Sequence, residues 1–301
     1  MTGQMSDSTW KRLIGHINAG DCTPFVGAGA LQPNFPTGRD LAQELAGAHN
    51  VPLPDTSNLA QVCQAITVQD DSRTTKRAVT ETIKRYAEAV GTTLPHAIEA
   101  LAEMPFPLYM TTNYDDMLER ALSANRKKAG VAICPWNTEL AEMSLDELTE
   151  LLIDPVKAAD ISSRKSDKPT VYHVHGHMNV PHSILVSEDD YLDFMINFSR
   201  NDQSIQSPMV QRAMARSAML FVGYALEDIN FRVLLRSFLT LQQGSSRARG
   251  VTVQFDPDGA SVPEKTKEYL EAYFARLELD VFWGTAQSFM DELYDRWKAL
   301  R

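Results

Sequence analysis

The chain has 301 residues, 44% of them apolar and 23% charged, with a formal net charge of −10 and a pI near 5.2. That balance belongs to a globular protein able to bury a large core, and the acidity argues against a nucleic-acid surface on this chain. No apolar run approaches the roughly 18 residues of a membrane span, and "MTGQMSDSTWKR" lacks the apolar stretch of a secretory signal, so a cytoplasmic protein is expected.

The first element is a helix over 10–19, where Trp10, Leu13, Ile14 and Ile17 recur at helical spacing and Gly20 stands at the C-cap position. A short apolar segment, "TPFVGAGA", runs into the turn Gly27-Ala28-Gly29. A helix follows from about Arg39, more helix over 57–90, and another in "TLPHAIEALAEM" with Pro95 in its first turn. "PLYMTTNYDDMLERAL" then opens as a strand and closes as a helix. Residues 137–168 read as an irregular helical and loop stretch. "PTVYHVHGHM" is strand-like up to a glycine, and "SAMLFVGYALEDINFRVLLRSFL" repeats strand, glycine turn and helix. Two further strands, "GVTVQF" and "LDVFW", complete the series, each with helix-like sequence after it. Alternating strands and helices predict an α/β fold, a parallel sheet covered on both faces. Ligands of such sheets bind beyond the carboxyl ends of the strands. Four turns fall there, at 27–29, 111–115, 175–177 and 223–225.

Each turn has a functional reading and a bland one. Gly27-Ala28-Gly29 could bring backbone amides to a pyrophosphate, or could simply be a tight loop; Gln32 breaks the full Gly-x-Gly-x-x-Gly fingerprint, so an ordinary dehydrogenase is excluded. Thr112-Asn113-Tyr114-Asp115 offers a carboxamide and a carboxylate at one strand end, although either Asn113 or Asp115 could serve as a helix cap. His173, His175 and His177 alternate and would share one face of a regular strand. They could ligate a metal, or His175 could act alone as a base while His173 is a hydrogen-bonded core histidine. Asp228, after Gly223-Tyr224, could hold a ribose hydroxyl or cap a helix, and Glu188 and Asp189 read as a solvated helix start. Cys22, Cys63 and Cys134 form no Cys-x-x-Cys pair, so no structural zinc site or disulfide framework is encoded.

In order and spacing, "FVGAGA", "TTNYDDMLE", "VHGHM", "LVSEDDY" and "FVGYALEDIN" resemble the SIR2-like (sirtuin-related) domains of bacterial NAD-hydrolysing antiphage effectors. The resemblance spans about residues 10–240. It implies a Rossmann-like NAD-binding domain over 1–301, with a helical module inserted at about 40–105 and an irregular one at 137–168. Through it, Gly27, Ala28 and Gly29 would face the NAD phosphates, and Thr112, Asn113 and Asp115 the nicotinamide ribose. His175 matches the catalytic histidine, and Gly223 and Tyr224 lie toward the adenosine half. Ala30-Leu31 departs from the serine common after this turn, which would leave the phosphates mainly to backbone amides. The missing four-cysteine module disfavours a protein deacylase. NAD would be the substrate, without a metal. The resemblance also implies gating by self-assembly or by a partner ATPase, Argonaute or nucleotide-sensing protein, and the chain could be complete or one portion of a longer protein. A deacylase and a non-catalytic NAD or ADP-ribose sensor are the competing readings.

Overall fold

The computed structural model describes residues 5–156, 165–199, 210, 217–224, 235, 248–255 and 263–300. Strands β1 (Cys22–Val26), β2 (Leu108–Thr111), β3 (Gly130–Ile133), β4 (Thr170–His173), β5 (Ala218–Val222), β6 (Gly250–Gln254) and β7 (Leu279–Trp283) form a single sheet. Its order is β3-β4-β2-β1-β5-β6-β7, and all six pairings are parallel. The expected α/β architecture is therefore present. Continuous apolar runs suit such strands because both faces are covered: Phe25, Met110, Tyr172 and Phe221 enter one core, and Val26, Tyr109, Val171 and Val222 the other. β3 carries little local signal, since "GVAI" is four residues long and sits between charged residues and Cys134-Pro135.

Helix α1 (Asp7–Ala19) starts at the Ser6 cap and ends on Gly20 at φ 72°, whose amide reaches the carbonyls of His16 and Ile17. Between β1 and β2 stand α2 (Gly38–His49), α3 (Leu59–Gln69), α4 (Ser72–Val90) and α5 (His96–Glu103). The helical run expected over 57–90 divides at Asp70-Asp71, where the Asp71 carboxylate caps α4 by accepting from the Thr74 amide. Helix α6 (Met117–Ala124) follows β2, while α7 (Thr138–Glu142) and α8 (Leu145–Leu151) give order to the first part of the stretch expected to be irregular. Helices α9 (Glu188–Ser199), α10 (Pro263–Ala275) and α11 (Ala286–Ala299) follow β4, β6 and β7. The helix expected after Gly223, and Asp228 with it, lie outside the described residues.

From β1 the chain crosses to β2, β4 and β3 on one side; β5, β6 and β7 lie on the other. Connections thus diverge at the β1–β5 seam, which opens a crevice at the carboxyl ends of these strands. Glycine makes the seam possible. Gly27 donates its amide to the Val222 carbonyl at 2.9 Å, and Gly29 donates to the Gly223 carbonyl at 3.1 Å. Gly223 has φ 85°, and a Cβ there would stand 2.4 Å from the Ala30 nitrogen and 2.6 Å from the Gly27 carbonyl oxygen. Both neighbours are backbone and cannot step aside.

Two alanine substitutions should therefore act in opposite directions. Gly15→Ala lies in α1 with open space around it and should stabilise the protein by roughly 0.5–1 kcal/mol. Gly223→Ala should destabilise it by more than about 2 kcal/mol. Urea unfolding of the two variants compares them, and equal midpoints would contradict the packing of the seam.

Candidate active site

At the crevice lies a cleft of about 550 Å³. Ala28, Thr112, Asn113, Asp115, His175, Gly223 and Tyr224 all line it, so the residues singled out on β1, β2, β4 and β5 converge. Gly27 and Gly29 are not in its lining; they form the seam beneath. The opposite wall comes from the helices between β1 and β2, through Phe35, Thr37, Arg39, Asn58 and Ile83.

The strand ends hold the site residues by main-chain hydrogen bonds. The Val26 carbonyl, last of β1, accepts from the Thr111 hydroxyl (2.9 Å), the Thr112 amide (3.2 Å) and the Tyr224 hydroxyl (2.9 Å). With its one proton committed there, Tyr224 accepts from the Thr112 hydroxyl at 2.9 Å. Next along, the Asn113 amide donates to the Thr111 hydroxyl at 3.0 Å. Among the described residues no group hydrogen-bonds the Asn113 carboxamide, which is left to the cleft. Asp115 accepts from the Met117 amide at 3.0 Å at the start of α6. Burial, with Glu119 nearby, pushes its carboxyl up to about 7.

The three histidines do not share a face. Strand β4 ends at His173, and at Gly176 the backbone turns with φ 91°; a Cβ there would lie 2.1 Å from the Ser183 carbonyl oxygen. The chain leaves the strand at the Val174-His175 turn, with His175 in the cleft, and the Gly176 turn then brings His177 against His173, their rings perpendicular at 4.7 Å. His175 meets the rings of Tyr191 and Phe194 edge-on, at 5.5 and 6.3 Å. Burial pushes its imidazole down to about 3, not the near-neutral value that suits a free base. Asp115, not His175, is the cleft group that titrates near neutrality.

Glu119, His173 and His177 place potential ligand atoms within 4.8 Å of one another. The hydrogen bond at His177 argues against that histidine as a metal ligand. His177 Nδ1 accepts from the Asn179 amide at 3.1 Å, so the proton of its neutral ring sits on Nε2, the atom facing Glu119. His173 Nδ1 donates to the Asn113 carbonyl at 3.1 Å and Nε2 meets Glu119 Oε1 at 2.6 Å, a separation that fits a shared proton. His173 is thus the hydrogen-bonded core histidine that its place in the strand suggested.

The anion-binding features differ from expectation. The amides of Gly27, Gly29 and Ala30 donate to Val222, Gly223 and Gly27 carbonyls, so the Gly-Ala-Gly turn offers a ligand the Ala28 amide and little else. Positive potential comes instead from the beginnings of α2 and α3, whose first residues line the cleft, and from the exposed Arg39. Sequence reasoning did not single out Arg39; its signal was the helix start just past Thr37, where a capping box with Asp40 fixes the first turn. Tyr191 was also missed. The acidic start of α9 that carries it is more than a solvated end. Asp190 pairs with Lys76 of α4 at 3.0 Å, and the Asp189 amide and carboxylate meet the Gln64 carboxamide of α3.

An open parallel sheet with a cleft at its connection switch defines an α/β protein of the Rossmann-like kind. Within that class, the SIR2-like domain matches residues 107–277, more than half of the chain, and the protein belongs to this family. It is similar to the NAD(+) hydrolase ThsA of Acinetobacter baumannii (strain 532279), 22% identical over 225 residues that cover 74% of this chain and 40% of that protein. The NAD(+) hydrolase ThsA of Bacillus cereus (strain MSX-D12) is 26% identical over 153 residues, 51% of this chain and 26% of its own length. That of Cytobacillus dafuensis is 20% identical over 238 residues, 79% of this chain and 42% of its own length. The matched part of this chain thus spans less than half the length of each of these relatives. Among the described residues no helix is long and apolar enough to cross a membrane.

Ionising a buried carboxyl costs stability. With its folded pKa near 7 and an unfolded value near 4, Asp115 favours the native state fully below about pH 4 and loses that contribution as pH rises to 7. Asp115→Asn should therefore match wild type near pH 4 and be more stable by roughly 1–3 kcal/mol at pH 8. Thermal melts at the two pH values test this; an Asn variant that is less stable at pH 8 would refute the raised pKa.

Proposed function

We propose that the protein is an NAD glycohydrolase, cleaving the nicotinamide–ribose bond to give nicotinamide and ADP-ribose. The observation that carries this reading is the convergence of Asn113, Asp115 and His175 in one cleft of a SIR2-like domain. The names of the relatives, NAD(+) hydrolases, support it.

The chemistry suits the cleft. Nicotinamide in NAD is a pyridinium cation and leaves neutral, so no general acid is needed, unlike an ordinary glycoside. What remains is to stabilise an oxocarbenium-like ribose and to place a nucleophile. Asp115, largely buried, supplies negative charge beside the developing cation, and a bound cation would in turn favour its ionised form. His175, held neutral between Tyr191 and Phe194, accepts a hydrogen bond from water or a ribose hydroxyl and so orients it. Asn113 donates and accepts at once, matching the nicotinamide carboxamide or the ribose. Ala28, Arg39 and the starts of α2 and α3 receive the pyrophosphate, with Thr112 beside the nicotinamide ribose and Gly223 and Tyr224 toward the adenosine half. Asp228 remains a candidate for a ribose hydroxyl from sequence alone.

An unrestrained NAD hydrolase would harm its own cell. The role that fits is antiphage defence by abortive infection, with activity gated by self-assembly or by a defence partner.

Nicotinamide release by the purified protein, alone and with its genomic-neighbour partner, tests the reading. Asn113→Ala and His175→Ala should each lower the rate by roughly 100-fold or more. The wild-type kcat/KM should rise with pH and level off above about 7, as Asp115 ionises. Wild-type rates in both alanine variants would overturn the site assignment.

A further inference from the structure

We propose that the buried His173–Glu119 pair is a positioning device for Asn113, fixing its main chain so that its carboxamide stays presented to the cleft. The proposal rests on the NADase reading, in which Asn113 contacts the nicotinamide ribose.

The partners of His173 fix where its protons lie. A carbonyl only accepts, so His173 Nδ1, 3.1 Å from the Asn113 oxygen, carries a hydrogen. A carboxylate also only accepts, so the 2.6 Å contact between His173 Nε2 and Glu119 Oε1 needs a second one. The imidazole is therefore a cation bound to Glu119, or shares one proton with it. Burial opposes both charges, yet the attraction between them holds His173 above the ordinary histidine range and Glu119 below the ordinary carboxylate range. The charged groups acting on the pair are Asp115 and Asp116, between β2 and α6, with neutral His177 on the Gly176 turn, itself acted on by Lys84 of α4.

A buried ion pair is poor evidence of stabilisation, because apolar residues of similar volume often serve as well. What apolar residues cannot supply is direction. The rigid His173 ring fixes the Asn113 carbonyl relative to α6, while the Thr111 hydroxyl fixes the Asn113 amide. Pinned at both backbone ends, Asn113 keeps only its side chain free, on the one residue whose carboxamide faces the cleft without a partner among the described residues.

Steady-state kinetics of full-length His173→Phe, Glu119→Leu and Glu119→Gln separate positioning from bulk stability. His173→Phe and Glu119→Leu should each lower kcat by roughly 100-fold while KM changes by less than about threefold. Glu119→Gln should keep kcat within about threefold of wild type, because its amide can donate to a neutral His173 that still donates to the Asn113 carbonyl. A folded His173→Phe protein with wild-type kcat, or a Glu119→Gln protein as impaired as Glu119→Leu, would overturn the proposal. NMR of the Asn113 side-chain amide gives a readout independent of turnover. It should be a single sharp pair of signals in wild type and Glu119→Gln, and broadened or multiple in Glu119→Leu. Unchanged signals in Glu119→Leu would refute the positioning role even if no variant could be assayed. Wild-type protein that never releases nicotinamide, with those signals behaving as described, would instead sink the NADase reading and leave the positioning intact.

Discussion

Everything at the site depends on the seam where β1 and β5 run side by side and their glycine turns interlock. Gly27, Gly29 and Gly223 touch backbone to backbone, closer than any Cβ would allow. That contact brings the carboxyl ends of β1 and β5 to one level, and β2 and β4 align with them through the Val26 carbonyl and the Val174 amide bond to Thr111. The same contact uses up the amides that a Gly-Ala-Gly turn might otherwise offer an anion. Architecture and phosphate binding compete for the same N–H groups, and architecture wins here. The positive side of the cleft is then left to Arg39 and two helix starts on the opposite wall.

A second constraint, the turn at Val174-His175 and the positive φ at Gly176 that follows it, divides the histidines between two tasks. His175 goes to the cleft; His173 and His177 go to the core with Glu119. The division has an electrostatic consequence. The pair behind the strand ends acts on Asp115 in both senses, Glu119 raising its pKa and His173 lowering it, so burial is the main cause of the rise. A carboxyl poised near neutrality in the cleft is costly for folding but useful opposite a developing cation, the usual conflict between stability and function.

Much of this was legible in the sequence. Strands β1, β2, β4 and β5 stand out because each is an apolar run ending in small or polar residues, and parallel topology follows from the helices between them. The convergence of Ala28, 112–115, 175 and 223–224 also follows from topology alone. Three features did not, each for a physical reason. β3 is four residues long and relies on pairing with β4, which local pattern cannot reveal. The alternation of His173, His175 and His177 suggests one face, but β4 ends at His173 and the chain turns at Val174-His175 before the positive φ at Gly176, and nothing in that stretch of sequence demands the turn. The protonation of His175 and Asp115 depends on Tyr191, Phe194 and Glu119, which only the folded chain brings near.

The central claim is that this cleft holds NAD with its nicotinamide ribose among Asn113, Asp115 and His175 and its pyrophosphate toward Ala28 and Arg39. A crystal structure of the His175→Ala protein soaked with NAD tests it most directly. An intact dinucleotide in that orientation is expected, with the Asn113 carboxamide in hydrogen-bond contact with the nicotinamide or its ribose. A dinucleotide bound in the reverse sense, or bound outside the cleft, would contradict it.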